Sequence, residues 1–350
     1  MKYPTFNELP PPPPGKTGWP WTEEIQPLPE RMPDGSEWPR ISIVTPSYNY
    51  GQFIEETIRS VLLQGYPNLE YIIIDGGSTD NTVEIIQKYE KYIAYWVSET
   101  DAGQTDAINK GYKHCTGHLF VWLNADDSYI SSSCLSSVAD IYRSGYEFIV
   151  GEFMPVDVDG NELPAYRQYG KSTPVNFYQS LKFWLYGVLP QPAVFMATDI
   201  VDKCFPLDPT IEVVMDFQFF LRALSQKPKS IWVNQIWVKF KYHGNNKSMG
   251  KGNLTQEFDG LSEICNVALL ESIKLPIFLR IIFKIELEDY RVIHSILDVD
   301  GNAEPTTIKI LGCLFKRPTL LRWFLFWKIL LKSVLGSNFY SAIKSVLNYQ

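Results

Sequence analysis

The sequence predicts an α/β fold: a doubly wound, mainly parallel β-sheet with helices on both faces, followed by a C-terminal helical extension. Three short apolar runs each end in a cluster of polar residues: 41–44, 69–74 and 119–123. Such runs are typical of parallel strands buried on both faces. Between the first two runs, residues 53–64 carry apolar side chains on one helical face. Strands that alternate with helices predict a parallel sheet with right-handed connections.

The remaining elements follow the same alternation. Further strands are predicted at residues 94–98, 147–153, 191–197 and 231–242. Further helices are predicted at residues 81–92, 105–113, 131–143 and 217–224. Beyond residue 252 the pattern is helical. We therefore expect an arm at residues 1–40, an α/β domain at 41–250 and a basic, amphipathic helical region at 251–350.

Composition and charge exclude several classes of protein. The chain has 350 residues with 10 Trp, 20 Tyr and 20 Phe, and its formal net charge of -7 argues against a generic nucleic-acid binder. The five cysteines lie far apart without a C-x-x-C pair, which predicts neither a zinc site nor a disulfide framework. A reducing compartment is therefore expected. The first ten residues contain no apolar signal core, so secretion is not expected.

The two ends of the chain are unusual. Residues 1–40 hold eleven of the 24 prolines together with Trp19, Trp21 and Trp38. Such an arm is either a Pro-rich ligand for a partner or, the favoured alternative, a segment that its tryptophans pack along the domain. Residues 311–335 are apolar but carry five basic residues, which is too many for a membrane span.

That C-terminal run has two interpretations. It fits a helix lying in the membrane interface, with Trp323, Phe324 and Trp327 buried and its basic side chains toward anionic headgroups. Residues 305–350 carry seven Lys or Arg and no acidic residue, which favours this interpretation. The alternative is a helical cap on the protein's own surface.

Two adjacent acids, Asp126 and Asp127, directly follow the strand predicted at 119–123. Open α/β sheets bind their ligands at the carboxyl ends of the strands. Neighbouring carboxylates repel each other unless a cation or a donor compensates them, and Mg²⁺ with a diphosphate would do so. The alternative is that both acids only begin a turn or cap the next helix.

Five motifs that follow one another along the chain carry a resemblance to a known family. They are Thr45-Pro46-Ser47-Tyr48-Asn49, Asp75-Gly76-Gly77-Ser78-Thr79-Asp80, Ser98-Glu99-Thr100-Asp101-Ala102-Gly103, Ala107-Ile108-Asn109-Lys110-Gly111 and Leu123-Asn124-Ala125-Asp126-Asp127. Over residues 40–250 the chain resembles the family 2 glycosyltransferases, which have the GT-A fold, and most of all bacterial members that build surface polysaccharides.

The resemblance implies a set of residues that bind the nucleotide sugar. The implied residues are Thr45, Pro46, Tyr48, Asp75, Asp101, Asp106, Asn124 and Asp127. Three alternatives stay open: Tyr48 is a turn residue, Asp101 is a turn residue, and Asp106 is an acid in the first turn of a helix. Many relatives carry a second acid where this chain has Gly76, whose backbone instead permits a close approach to the ligand.

The resemblance also implies a divalent metal, Mn²⁺ or Mg²⁺, and a catalytic base. Asp126 is the expected metal ligand and His243 a second one, while Asn124 replaces the first acid of the family's D-x-D element. The metal would offset the charge that develops on the leaving diphosphate. Asp216 matches the family's base, which accepts the proton of the attacking hydroxyl. A helix N-cap is the alternative role for Asp216.

The predicted function is inverting transfer of a sugar from a nucleoside diphosphate sugar to a hydroxyl of a lipid-linked saccharide acceptor. The enzyme would act in the cytoplasm, at the inner face of the cell membrane. Trp184, Tyr186 and Phe195 are candidates for the wall that contacts the acceptor, with a place in the core as the alternative. A nucleotidyltransferase is a weaker alternative, because residues 45–52 lack the basic phosphate loop it needs. A catalytically inactive scaffold also remains, since Asn124 and Gly76 depart from the family pattern.

Overall fold

The structure is a computed structural model. It describes residues 4–23, 25–163, 175–183, 189–244, 246, 261–298, 313–314 and 317–322. The chain divides into two compact units, residues 1–267 and 268–350.

One mixed sheet of eight strands forms the centre of the first unit. The strands are β1 (Ile41–Ser47), β2 (Leu69–Asp75), β3 (Tyr95–Ser98), β4 (Leu119–Trp122), β5 (Ser128–Tyr129), β6 (Phe148–Val156), β7 (Val194–Ala197) and β8 (Ser230–Lys241). Their order across the sheet is β3-β2-β1-β4-β7-β6-β8-β5. Strands β1 to β4 pair in parallel, as do β6 and β8. The prediction of a mainly parallel sheet is thus confirmed.

Two strands depart from the parallel arrangement. Strand β7 runs antiparallel to both of its neighbours, β4 and β6. The two-residue strand β5, which the sequence did not predict, runs antiparallel to β8. The segment predicted as a strand at 191–197 begins with a 3₁₀ turn, Gln191–Ala193. Pro192 lies in this turn and has no N–H to donate to a sheet.

Helices follow most of the strands along the chain, and two more come after the last strand. They are α1 (Ile54–Leu62), α2 (Thr82–Tyr89), α3 (Gln104–Tyr112), α4 (Cys134–Arg143), α5 (Phe177–Phe183), α6 (Thr198–Val201), α7 (Met215–Ser225), α8 (Leu261–Glu271) and α9 (Ile277–Asp298). Helix α3 packs closely on β1: a Cβ at Gly111 would lie 2.5 Å from the Val44 side chain. This glycine lets α3 approach the sheet and brings its N-terminus to the strand ends.

The parallel strands end together at one edge of the sheet. Ser47 at the end of β1 pairs with Asp75 at the end of β2, and Asp75 pairs with Ser98 at the end of β3. The first two of these strands are buried over most of their length. The polar loops that follow therefore emerge side by side, at the edge where open α/β sheets bind ligands.

The proline-rich arm packs against α1. Arg59 is fully buried and donates hydrogen bonds to the backbone carbonyls of Pro10 (2.8 Å), Pro20 (3.1 Å) and Trp21 (3.3 Å). Trp19 Nε1 donates to the carbonyl of Tyr129 at 2.7 Å. The arm therefore has the packed arrangement that the sequence analysis favoured.

The second unit contains the last turn of α8, from residue 268 on, and all of α9. The N-terminal half of α9 exposes Ile277 (69%), Phe278 (69%) and Ile281 (53%). Near its C-terminal half, Arg317 lies 3.0 Å from the buried Asp289. Within the described residues, no helix has the length and apolar character needed to cross a membrane. Most of the predicted interface helix at 311–335 lies outside the described residues; Pro318–Arg322 forms a 3₁₀ turn.

Candidate active site

A cleft of about 860 Å³ opens at the carboxyl ends of β1, β2 and β4. This volume lies within the range of small-ligand sites. Of the predicted site residues, six line it: Pro46, Tyr48, Asp101, Asn124, Asp126 and Asp216. His243 contacts Asp126, while Thr45, Asp75, Asp106 and Asp127 lie outside the lining.

The acids of the loop after β2 hold the loop itself. Asp75 is fully buried, and its carboxylate accepts hydrogen bonds from Ser78 N (2.9 Å), Ser78 Oγ (2.5 Å) and Ser98 Oγ (2.6 Å). Asp80 accepts from the backbone N–H groups of Gly51 and Thr82, both at 2.9 Å. The loop after β2 thereby braces the loop after β1, which presents Tyr48, 57% exposed, at the cleft.

Asp101 lies over the backbone of Gly76. A Cβ at residue 76 would be 2.9 Å and 3.0 Å from the two carboxylate oxygens of Asp101. One of these oxygens accepts a hydrogen bond from Gly103 N at 2.8 Å. Gly76 therefore makes room for the Asp101 carboxylate at the point where a side chain from residue 76 would enter the cleft.

Two predicted donor-binding residues have local partners instead. Thr45 is buried, and its hydroxyl lies 3.1 Å from the Tyr71 hydroxyl. Asp106 accepts from Ala102 N at 3.1 Å and pairs with Lys110 at 3.3 Å. Asp106 thus has its alternative role as an acid in the first turn of a helix. Contact with a donor stays a prediction for both residues.

Three amide side chains in the cleft form an oriented chain. Gln191 Nε2 donates to the backbone carbonyl of Trp122 at 2.7 Å, so Gln191 Oε1 faces Asn124 and accepts from Asn124 Nδ2 at 3.2 Å. Asn124 Oδ1 therefore faces Gln104, whose Nε2 donates to it at 2.8 Å. A backbone carbonyl only accepts, so it sets the orientation of all three amides. The cleft is built around a neutral side chain at position 124.

Asp126 is held by residues that follow β8. Its Oδ2 accepts from His243 Nε2 at 2.9 Å and from Asn246 Nδ2 at 3.3 Å. Asn246 also accepts from His243 N at 2.6 Å, which fixes the turn. The imidazole stacks on Phe53, the residue before α1, with ring centres 4.8 Å apart. These contacts bring together the two residues predicted to bind metal.

The pair fits a divalent cation. A carboxylate oxygen and a neutral imidazole nitrogen are both metal-ligand types. Asp126 Oδ2 and His243 Nε2, now 2.9 Å apart through a hydrogen bond, would hold a cation that takes the place of the shared proton. Asp126 also lines the cleft, so a cation there would face a bound ligand. No cluster of three or more His, Cys, Asp or Glu suited to a metal occurs among the described residues.

Asp127 is buried beneath Asp126. Burial, and then the charge of Asp126, raise the pKa of the Asp127 carboxyl well above its usual value. Among the described residues its Oδ1 has no hydrogen-bond partner, and its Oδ2 accepts a long 3.4 Å bond from Asn124 Nδ2. This bond and the backbone of Lys241 offset part of the rise in pKa. Asp127 N donates to Asn124 O at 3.1 Å, so Asn124 begins a turn and the two acids are its last two residues.

Asp216 lies in the first turn of α7 and lines the cleft. The residue at the N-cap is Val214, so Asp216 does not occupy the cap position. One carboxylate oxygen accepts from Phe217 N at 2.8 Å. Burial raises the pKa of Asp216 to about 6, and the nearby charge of Glu263 adds to the rise. At neutral pH the group is mostly ionised and able to accept a proton.

Sequence reasoning missed several residues of the site. Gln104 and Asn246 line the cleft, as do Phe153, Phe240 and Tyr242 on its apolar side. Phe195, predicted near the acceptor, is instead fully buried and packs on Trp237 with ring centres 5.8 Å apart. It belongs to the core because it lies on the central strand β7. Trp184 and Tyr186 lie outside the described residues.

Comparisons with known proteins agree on one family. The sequence profile of glycosyl transferase family 2 matches residues 42–199. A Bacillus subtilis glycosyltransferase assigned to teichuronic acid biosynthesis, TuaG, is 40% identical over 218 residues, which is 61% of this chain and 83% of TuaG. An uncharacterized glycosyltransferase of Mycobacterium tuberculosis is 31% identical over 189 residues, covering 53% of this chain and 69% of the relative.

Solved structures share the fold. The crystal structure of S. aureus TarS aligns with a TM-score of 0.59 and 15% identity, covering 86% of this chain and 54% of TarS. A fragment of TarS, residues 1–349, solved in complex with UDP-GlcNAc, aligns with a TM-score of 0.57 and 14% identity over 85% of this chain and 92% of the fragment. With the cleft, the fold and these relatives in agreement, the chain belongs to glycosyltransferase family 2 and is a glycosyltransferase.

Proposed function

We propose that this enzyme transfers a sugar, with inversion, from a nucleoside diphosphate sugar to a hydroxyl of a saccharide acceptor carried on a lipid. The observation that carries the proposal is that Asp126 and Asp216 line one cleft. Asp126 is hydrogen-bonded to His243, the second residue proposed to bind the cation. Asp216 is a carboxylate with a pKa of about 6. The relationship to TuaG supports a role in the synthesis of a surface polysaccharide.

The nucleotide would bind between the loops after β1, β2 and β3. Tyr48, exposed at the cleft, offers a ring on which a base stacks. Asp101, with one oxygen tied to Gly103 N, offers its other oxygen to a base N–H or a ribose hydroxyl. In this arrangement Asp75 acts through the loop: it shapes the turn that leaves the Gly76 backbone open.

Asp126 and His243 would hold a divalent metal, which when bound offsets charge on the departing diphosphate. Asn246 and Phe53 keep His243 in the orientation that faces Asp126. The sugar would then lie between Asp126 and Asp216, against the amide chain of Gln104 and Asn124. These amides present hydrogen-bonding groups without adding charge, which suits sugar hydroxyls.

Asp216 would act as the base. One of its oxygens is held by Phe217 N, so the other is left to accept the proton of the acceptor hydroxyl as that hydroxyl attacks the anomeric carbon. The apolar side of the cleft, formed by Phe153, Phe240 and Tyr242, would take the acceptor.

Membrane contact forms part of the proposal. The exposed side chains of Ile277, Phe278 and Ile281 on α9 and the basic composition of residues 305–350 support binding at the inner face of an anionic membrane. Sedimentation with vesicles tests it: binding to phosphatidylglycerol vesicles that disappears in Phe278→Ser is expected. Equal binding to phosphatidylcholine vesicles would contradict the electrostatic part.

The donor is tested by thermal shift of the purified protein with UDP, GDP, CMP and dTDP sugars, with and without Mn²⁺. A ligand that binds only the folded state and is present at 100 times its Kd stabilises by about 2.7 kcal/mol. We expect a metal-dependent shift with one nucleotide. The absence of any shift in a well-folded sample would favour an inactive scaffold.

A further inference from the structure

A glutamate from outside the predicted catalytic domain holds the segment that leads to Asp216. Glu263, on α8, accepts through Oε1 from Glu212 N at 2.9 Å. Its Oε2 accepts from the N–H groups of Val213 and Val214, also at 2.9 Å each. Glu263 belongs to the first unit, although it lies 13 residues beyond the predicted domain end at 250.

The bonded segment is part of the cleft wall. Glu212, Val213, Met215 and Asp216 all line the cleft. Hydrogen bonds from backbone N–H groups to an ionised carboxylate are stronger than those to a neutral acceptor. Three such bonds from consecutive residues restrict the backbone conformation of the segment. Thr105 Oγ1 secures the next residue from α3 by donating to Met215 Sδ at 2.9 Å. The entry to α7 is thus fixed from two sides.

We propose that Glu263 is a positioning residue for catalysis, which fixes the start of α7 so that the Asp216 carboxylate faces the reacting hydroxyl. The inference rests on the proposed function, in which Asp216 is the base. Glu263 has a second effect through its charge, because its carboxylate adds to burial in raising the pKa of Asp216. Both the position of the Asp216 carboxylate and its pKa therefore depend on the side chain of Glu263.

The test compares Glu263→Gln and Glu263→Asp with the wild type, and uses Glu84→Gln as a control that removes an exposed carboxylate elsewhere. Hydrogen exchange is measured at the amides of residues 212–214. The ¹³C signal of the Asp216 carboxyl, identified by its loss in Asp216→Asn, is titrated with pH. Release of UDP from UDP-GlcNAc with Mn²⁺ gives kcat and KM, with water as acceptor.

In Glu263→Gln we expect faster exchange at all three amides and a lower pKa for Asp216, since a negative charge beside it is gone. We expect kcat to fall on the order of tenfold, as displaced catalytic groups do, with the KM for the donor within twofold. Glu263→Asp keeps the charge and should keep the pKa of Asp216 near its wild-type value while recovering part of the rate. Glu84→Gln should match the wild type in every measurement.

Unchanged amide exchange and an unchanged Asp216 titration in Glu263→Gln would overturn the proposal. A parallel fall in donor affinity and melting temperature without a change in titration would do the same, because it indicates a purely structural role. The exchange and titration need no substrate, so they decide the matter for any donor. A normal turnover in Asp216→Asn would instead refute the proposed base and leave the Glu263 contacts standing.

Discussion

Replacing Asn124 with aspartate tests whether the site is built for a neutral side chain. Asn124→Asp restores the acid found at this position in the family's D-x-D element, and it removes both donors of the amide. Gln191 Oε1 and Asp127 Oδ2, which now accept from Asn124 at 3.2 Å and 3.4 Å, would then face a carboxylate oxygen. Gln191 cannot turn without losing its 2.7 Å bond to Trp122 O.

The size of the effect follows from these contacts. Two lost hydrogen bonds remove about 1 kcal/mol each, and unpaired acceptors add to this, so a loss of about 2–3 kcal/mol is expected. For a unit of this size that corresponds to a fall in Tm of about 4–12 °C. The new carboxylate beside Asp126 should also bind cations, so Mn²⁺ should recover more of the Tm in the variant than in the wild type.

Differential scanning fluorimetry in EDTA and in Mn²⁺ measures both effects. Gln87→Glu, which adds the same charge at an exposed position on α2, is the matched control. If Asn124→Asp melts in EDTA at the temperature of Gln87→Glu, the amide chain does not hold Asn124 as described. Asn124 would then only replace the acid of the family's D-x-D element, without a structural role of its own.

Three further predictions follow from buried charged groups. Because the pKa of Asp216 is about 6, kcat should fall about tenfold between pH 7 and pH 5 and approach a slope of one at still lower pH. A flat profile would exclude this base. Burial raises the pKa of Asp127 above its unfolded value, so ionisation of this carboxyl destabilises the metal-free fold. Asp127→Asn should therefore raise Tm at pH 8, and the gain should vanish below about pH 4. An equal gain at both pH values would contradict this. Arg59→Met leaves the carbonyls of Pro10 and Pro20 unpaired and should lower the free energy of unfolding in urea by about 3–5 kcal/mol, since each lost bond to a charged group costs about 1.5–3 kcal/mol. A loss below about 1 kcal/mol would mean that Arg59 does not hold the arm.

The strands that could be predicted are those whose sequence carries its own signal. Strands β1, β2 and β4 are continuous apolar runs ended by polar loops, and this pattern depends only on burial on both faces. The direction of β7 and the existence of β5 depend on which strands lie beside them. Two residues of β5 are too few to show a period, and β7 has the same apolar pattern in either direction.

The same distinction holds for the site. Asp126 could be singled out because it follows a strand that ends at the ligand edge of the sheet. Asp216 could be singled out through the resemblance to the family. The amide chain joins residues 104, 124 and 191, and the carboxylate of Glu263 reaches residues about 50 positions earlier in the chain. No local pattern announces such contacts. Asp75 illustrates the opposite case. Its motif resembles a ligand site, but its carboxylate accepts hydrogen bonds from Ser78 in its own loop and from Ser98 at the end of β3.

The central claim is that Asp126 binds the cation at the diphosphate and that Asp216 accepts the proton of the attacking hydroxyl. Two measurements test this most directly: the donor affinity by isothermal titration calorimetry and the single-turnover rate of transfer. Both are made on Asp216→Asn and on Asp126→Asn. Asp216→Asn should bind the donor with wild-type affinity in Mn²⁺ and transfer its sugar about 10²–10⁴-fold more slowly, the usual contribution of a general base. Asp126→Asn should lose the effect of Mn²⁺ on affinity. Normal transfer by Asp216→Asn, or undiminished Mn²⁺-dependent binding by Asp126→Asn, would contradict the account.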